Sequence, residues 1–175
     1  MKKTVIIYGL IAGLIVSSIM VISMAFCYQS DKMEGSMLLG FASMILAFSM
    51  VFVGIKNYRD KYSGGAITFW RAFLTGLYIT LIASTMYVVV WMIDYYFFIP
   101  DFMEKYAAYV LKEASESGLS QIELDKKAAE MATYSKLYRN PIGIALLTYL
   151  EILPVGILAN LISALILRKK ATSTI

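Results

Sequence analysis

Long runs of apolar residues alternate with short polar segments along this chain. Four runs cover about residues 4–28, 37–55, 73–93 and 142–167. Each is long enough to cross the hydrocarbon core of a bilayer, which takes about 20 residues of α-helix. The pattern predicts an all-α membrane protein with four transmembrane helices in a single integral membrane domain, residues 1–175.

The start of the chain has some features of a signal peptide, because Lys2 and Lys3 precede the first apolar run. That run is longer than the roughly 7–15 apolar residues of a signal peptide. Phe26 before Cys27 also suits a lipoprotein cleavage site poorly. We therefore predict that this segment is retained as the first transmembrane helix.

The long polar segment between the third and fourth runs predicts an extracytoplasmic helical hairpin at about residues 101–139. It carries signals for helix starts and ends, namely Asp101 with Glu104, Gly118, and Ser120 with Glu123. Each predicted helix also has an apolar stripe, formed by Met103, Tyr106, Ala107, Val110 and Leu111 on the first and by Leu124, Ala128, Met131, Ala132 and Tyr138 on the second. We expect the two stripes to pack together or on the bilayer surface.

Charge placement predicts the orientation of the four spans. The chain is 59% hydrophobic and 16% charged, with a net charge of +4. Basic residues concentrate at one set of helix ends, where Asp60 is the accompanying acid: Lys2, Lys3, Lys56, Arg59, Lys61, Arg71, Arg168, Lys169 and Lys170. By the positive-inside rule both termini of this multi-pass protein lie in the cytoplasm. The bases form no basic face with interleaved aromatics, so we expect no nucleic-acid partner.

Histidine is absent and Cys27 is the single cysteine. This composition excludes His-based catalytic triads, His/Cys metal sites, haem ligation and disulfides within the chain. No nucleophile, base or metal ligands converge at one depth of the predicted bundle. We therefore expect no enzymatic activity, no cofactor and no metal.

Glu151 is the one acidic residue inside the apolar runs. A charged carboxyl at that depth costs roughly 2.5–3.5 kcal/mol, so it needs partners, a water-lined cavity or a proton. Pro154 lacks an amide proton, which frees the carbonyl of Leu150 and favours a bend. Counting depth along the helices puts Ser18 and Ser84 at the level of Glu151, so we expect a protonated carboxyl hydrogen-bonded to hydroxyls. Glu151 then either has a structural role, in which its hydrogen bonds hold neighbouring helices together, or is a site that binds a proton or ion.

Small residues recur along each predicted span, and such residues let helices approach closely. They are Gly9, Gly13 and Ser17 in the first span, Gly40, Ala47 and Gly54 in the second, Gly76 in the third and Gly156 in the fourth. These small residues serve either ordinary packing within the bundle or a dedicated association between two chains. Asn160 lies on the side of the fourth helix opposite Glu151. Polar groups on two faces of one helix favour a homo-oligomer or another membrane protein as partner, besides membrane lipids.

Several segments together carry a resemblance to a known family. They are FVGIKNYRDK at 52–61, GG at 64–65 with ITF at 67–69, PDF at 100–102, EILPVG at 151–156 and LISALIL at 161–167. In combination they resemble a family of small bacterial membrane proteins catalogued as domain of unknown function forty-one ninety-nine, nearly end to end. The resemblance implies a four-span inner-membrane protein and carries over no catalytic residue.

Two functions fit these observations. The first is a non-enzymatic assembly or interaction module that uses the small-residue seams and the hairpin as contact surfaces. The alternative is a subunit of a small ion- or proton-coupled transporter, in which Glu151 beside Pro154 is the site. The sequence favours the first, because no inverted repeat relates the two halves of the chain.

Overall fold

The computed structural model describes residues 1–29 and 37–169, and these residues form six α-helices. The helices are α1 Lys2–Gln29, α2 Met37–Tyr62, α3 Phe69–Phe97, α4 Phe102–Glu116, α5 Gln121–Tyr138 and α6 Pro141–Leu167. Four of them, α1, α2, α3 and α6, are long and apolar enough to cross a membrane by length and composition. The all-helical class and the four candidate spans are therefore as predicted.

The ends of the long helices differ from the ends of the apolar runs. α2 continues past residue 55 to Tyr62, so the basic segment after the second run is helical. α3 runs from Phe69 to Phe97 rather than over 73–93, and Thr68 caps it by accepting a hydrogen bond from the Arg71 amide. Lysine and arginine continue a helix readily, and the chain turns where Gly64 and Gly65 adopt positive φ.

The four long helices pack into one bundle. α3 contacts α1 and α6 most extensively, and α2 packs against α1, α3 and α6. The bundle core contains fully buried side chains from all four helices, among them Val16, Phe48, Ile79 and Ile152. Because α3 is the most extensive neighbour of α6, the side chains of α3 that face α6 largely determine what the polar groups of α6 can contact.

The hairpin forms as predicted, with α4 packed on α5. Gly118 has a φ of 74° and ends α4, and the capping box at the start of α5 joins the Ser120 amide and hydroxyl to Glu123 at 2.9 and 2.7 Å. Asp101 is the N-cap residue of α4, where the sequence predicted the helix start, but the predicted capping hydrogen bond does not form. Its carboxylate pairs instead with Lys105 at 3.0 Å and accepts from the Tyr28 hydroxyl at the end of α1.

The apolar stripe of α5 is narrower than the sequence indicated. Met131 is buried, and Leu124 and Tyr138 are half-buried, whereas Ala128 and Ala132 are exposed. α5 therefore packs along a single ridge with a seven-residue spacing. The reason is that α5 has one principal neighbour, α4, and touches α6 much less.

The two ends of the bundle differ in construction. The hairpin end holds α4 and α5. At the other end, which we call the bridge end, Ile67 and Lys169 form an isolated antiparallel β-bridge, with N–H···O distances of 3.0 and 2.9 Å. The Arg59 guanidinium also donates to the Leu167 carbonyl at 3.3 Å. The chain between α2 and α3 is thereby joined to the end of α6.

Candidate functional site

A cavity of about 400 Å³ lies at the hairpin end, where side chains of α1, α3, α4, α5 and α6 converge. Its lining is mostly aromatic side chains and methionines, with Glu151 as the acidic group. The lining residues are Met20, Met24, Tyr87, Trp91, Phe102, Met103, Tyr106, Tyr134, Tyr138, Leu147, Thr148 and Glu151. This volume and this mainly apolar wall are typical of a small-molecule site.

The aromatic wall is held by ring contacts within it. Phe102 is central: Trp91 meets it edge-on at 5.1 Å between ring centroids, and Tyr106 stacks on it at 5.7 Å. Tyr138 lies 6.3 Å from Phe102 and packs edge-on against Tyr95 at 5.3 Å. Each such pair contributes about 0.5–1.5 kcal/mol beyond area burial. The wall therefore has a defined shape.

The phenols of the hairpin side remain neutral at physiological pH. Burial raises the pKa of Tyr138 to about 12; a hydrogen bond with Trp91 opposes the rise and the Glu151 carboxylate adds to it. Burial is also the main cause that raises the pKa of Tyr106, to which Glu151 again contributes. Both phenols lie within electrostatic reach of Glu151. Among the described residues that line the cavity, Glu151 carries the one carboxyl and none is cationic.

The structure does not bring Glu151 together with the two serines predicted at its depth. Ser18 is exposed, whereas Ser84 is fully buried with an Oγ that has no hydrogen-bond partner. Neither residue lines the cavity. Glu151 is accessible from the cavity, and within residues 1–29 and 37–169 no hydrogen bond or ion pair engages its carboxyl.

The opposite face of α6 packs on α3 through a buried amide. Asn160 is fully buried and its Nδ2 donates to the Phe73 carbonyl at 3.0 Å, while its Oδ1 has no partner. Gly76 makes this approach of the two helices possible. A Cβ on Gly76 would overlap the Asn160 Oδ1 and lie 2.8 Å from its Cγ. Gly156 packs in the same seam, where the Thr80 hydroxyl donates to its carbonyl at 3.5 Å.

The other small residues mostly face neighbouring helices of the same chain. A Cβ on Gly9 would lie 2.8 Å from Ile82, and one on Gly13 would lie 2.8 Å from Met86, so the small stripe of α1 packs on α3. Ser17 is buried with an unpartnered Oγ, Ala47 is fully buried, and Gly54 faces Ile79 and Tyr8. Gly40 differs, because no atom in the part of the chain that the structure describes lies within 4 Å of a methyl group added there.

Pro154 lies inside α6, which remains helical on both sides of it. The residue is exposed and lines an apolar groove between α2 and α6, together with Phe41 and Ile45 of α2. Pro154 does not line the cavity that contains Glu151. The two residues of the EILP segment that the sequence singled out therefore face different surroundings.

Asp94 is a buried acidic residue that the sequence reasoning missed. It lies in the last turn of α3, is buried, and its Oδ2 has no hydrogen-bond partner. Ending the third span at residue 93 placed it outside the membrane. The apolar and aromatic residues that follow it, Tyr95 to Phe98, were the signal that the helix continues.

Comparison with known proteins adds the family. The model of the family described as Protein of unknown function (DUF4199) matches residues 7–169. Neither the curated proteins nor the solved structures gave a match. The family match covers all four candidate spans and the hairpin, and it confirms the resemblance carried by the sequence segments. The chain belongs to this family of proteins of unknown function, DUF4199.

Proposed function

We propose that this protein takes up a small solute in the cavity beneath the hairpin, and that Glu151 is the group that binds and releases a proton or cation there. This makes it a subunit of a small ion- or proton-coupled transporter. The observation that carries the proposal is that Glu151 is accessible from a cavity in which the described lining has no cation. Ionisable groups inside a membrane bundle mark substrate and ion pathways.

The assembly module, the other function that the sequence suggested, loses part of its support. The stripe of Gly9 and Gly13 packs on α3, and Gly76 and Gly156 pack in the seam between α3 and α6. Small residues used within the chain are not available to a second chain. Association with another copy or another membrane protein would depend on other surfaces, such as the one around Gly40.

We place the protein in the bacterial inner membrane with the hairpin outside the cytoplasm. Support comes from the basic residues at the bridge end, where Lys56, Arg59 and Lys61 close α2 and Arg168 and Lys169 follow α6. In this orientation both termini are cytoplasmic. The cavity then takes its solute from the outer side.

A hydrophobic carbodiimide tests whether Glu151 is an accessible, titrating carboxyl. Dicyclohexylcarbodiimide modifies protonated carboxyl groups in apolar surroundings. We expect the purified protein in mild detergent to be modified at Glu151, more slowly as the pH rises, with the site located by mass spectrometry of its peptides. Asp94 provides a matched comparison, because it is buried and does not line the cavity. Absence of modification at Glu151 across the pH range would refute the proposal.

Proton flux tests coupling directly. Vesicles that contain the wild-type protein should show flux in response to a pH gradient. Glu151→Gln keeps the size and hydrogen-bonding capacity of the side chain but cannot ionise, so flux should be lost while the protein remains folded. Glu151→Ala tests the structural role of Glu151. If the carboxyl only holds helices together by hydrogen bonds, the alanine variant should lose stability and the glutamine variant should not. Equal flux in wild type and Gln variant would contradict a proton site at Glu151.

A further inference from the structure

The cavity has one sign of charge. Glu151 is its carboxyl, and the other titratable groups that line it are phenols: Tyr87 from α3, Tyr106 from α4, and Tyr134 and Tyr138 from α5. α1 contributes only Met20 and Met24. A ligand with a positive charge would therefore find one counter-charge in the cavity and no competing cation.

The walls suit a diffuse cation. Aromatic faces attract cations through the ring quadrupole, and indole is the strongest of these partners. Trp91 meets Phe102 edge-on and Phe102 stacks on Tyr106, and these three contacting rings line the same cavity as Glu151. Methionine side chains such as Met20 and Met103 add flexible, polarizable contacts that adapt to ligand shape.

The same lining fits an inorganic cation poorly. Hard metal ions require about six oxygen ligands. Besides the carboxyl of Glu151, the lining offers phenols and the Thr148 hydroxyl, which already donates to the Ile144 carbonyl at 2.8 Å. A volume of about 400 Å³ is also far larger than one metal ion needs. An organic ligand of suitable size would fill this volume, whereas a single metal ion would leave most of it empty.

We propose that the ligand of this cavity is a hydrophobic organic cation with a single positive charge, such as a quaternary ammonium with an aromatic or aliphatic substituent. This inference rests on the function proposed above. The charge lies against Glu151 and the aromatic rings, and the apolar substituent packs against the methionines of the lining, Met20, Met24 and Met103. A proton on Glu151 removes the counter-charge, so cation and proton exclude each other at one carboxyl.

Trp91 provides a direct measurement of binding. The chain has two tryptophans, and Trp70 is exposed near the bridge end, far along α3 from the cavity. In a Trp70→Phe background the indole fluorescence therefore reports on Trp91 alone. Benzyltrimethylammonium is the probe, and benzylsulfonate is the control of similar size and opposite charge. We expect a saturable change with the cation, no saturable change with the anion, and weaker cation binding as the pH falls.

Variants separate the contributions of charge and ring. Glu151→Gln should weaken cation binding at least about tenfold, equivalent to about 1.4 kcal/mol. Tyr134→Leu should weaken it about fivefold through loss of a ring, while Tyr134→Phe, which keeps the ring, should stay within about twofold of the parent. Asp94→Asn removes a carboxyl outside the cavity and should leave binding unchanged. Helix content by circular dichroism verifies that each variant is folded.

The outcomes distinguish the ligand class from the proposed function. Benzyltrimethylammonium should also protect Glu151 from the carbodiimide. If the carbodiimide modifies Glu151 but the cation neither binds nor protects, the ligand class is wrong and the solute site stands. Binding of benzylsulfonate as tight as that of the cation, or cation binding unaffected by Glu151→Gln, would likewise overturn the ligand class. If Glu151 is never modified, both proposals fall.

Discussion

Replacing Gly76 by alanine tests the seam between α3 and α6, in which Asn160 is buried. The added Cβ would overlap the Oδ1 of Asn160 and lie 2.8 Å from both the Cγ of Asn160 and the Cδ1 of Ile55. Ile55 can yield, because its contact is the end of a flexible side chain. Asn160 is fully buried, and its amide is held by the Phe73 carbonyl at 3.0 Å. It can move only by breaking that hydrogen bond.

The expected cost follows from these contacts. Loss of a hydrogen bond between membrane helices costs about 0.6 kcal/mol on average. Forcing a methyl group into a well-packed core adds about 1–3 kcal/mol. The higher helix propensity of alanine returns about 0.5–1 kcal/mol. We therefore expect Gly76→Ala to lower the free energy of unfolding by about 2 kcal/mol.

The assay is unfolding of the purified protein in mixed micelles of mild detergent and dodecyl sulfate, followed by circular dichroism. Gly40→Ala is the matched control, because no atom of the described residues lies within 4 Å of an added methyl there, and the variant should be neutral or slightly stabilised. Asn160→Ala removes the obstructing amide, so the double variant should be less destabilised than the sum of the single ones by about 1 kcal/mol. Strict additivity, or equal stability of Gly76→Ala and Gly40→Ala, would refute the reasoning.

Three further predictions concern orientation and the hairpin. Reporter fusions after Lys61 should give a cytoplasmic signal and fusions at Gly118 an external one; a cytoplasmic signal at Gly118 would contradict the proposed orientation. Met131→Asp should raise protease cleavage within the hairpin about tenfold or more, because it buries an unpaired charge. Ala128→Asp is the control and should leave cleavage unchanged, because position 128 is exposed. Equal cleavage of the two variants would show that Met131 is not packed. Ser120→Ala should destabilise α5 by about 1 kcal/mol through loss of its N-cap, seen as a lower melting temperature of the hairpin helices, and an unchanged melting curve would count against the cap.

The spans could be predicted because membrane crossing depends on one quantity, the length of an apolar run. The exact helix ends could not, because residues 56–62 continue α2 as a helix beyond the apolar run. Asp94 was missed for the same reason at the end of α3. Hydropathy reports where a helix leaves the apolar layer, whereas hydrogen bonding and turn residues such as Gly64 decide where the helix itself stops.

The surroundings of Glu151 show a second limit. Depth along a helix can be counted from sequence, and this placed Ser18 and Ser84 at the level of the carboxyl. The direction in which each side chain points depends on how the helices rotate against one another, which the packing decides: Ser84 lies in the core and Ser18 at the surface. Most of the aromatic side chains that line the cavity belong to the hairpin. No periodicity in the sequence indicates that the hairpin packs over the ends of α3 and α6, so this part of the cavity could not be predicted.

The β-bridge between Ile67 and Lys169 ties the end of α6 to the segment before α3, while α2 and α3 pack along the rest of α6. A tilt of α6 that kept this bridge would pivot at the bridge end and slide α6 against α2 and α3. Glu151 lies 16 residues from Leu167, roughly 24 Å along the helix axis. A tilt of about 5° around that pivot would displace the carboxyl by about 2 Å, given the rise of 1.5 Å per residue. The part of the cavity wall that α6 contributes would shift by that amount, while the contacts around Leu167 stayed in register.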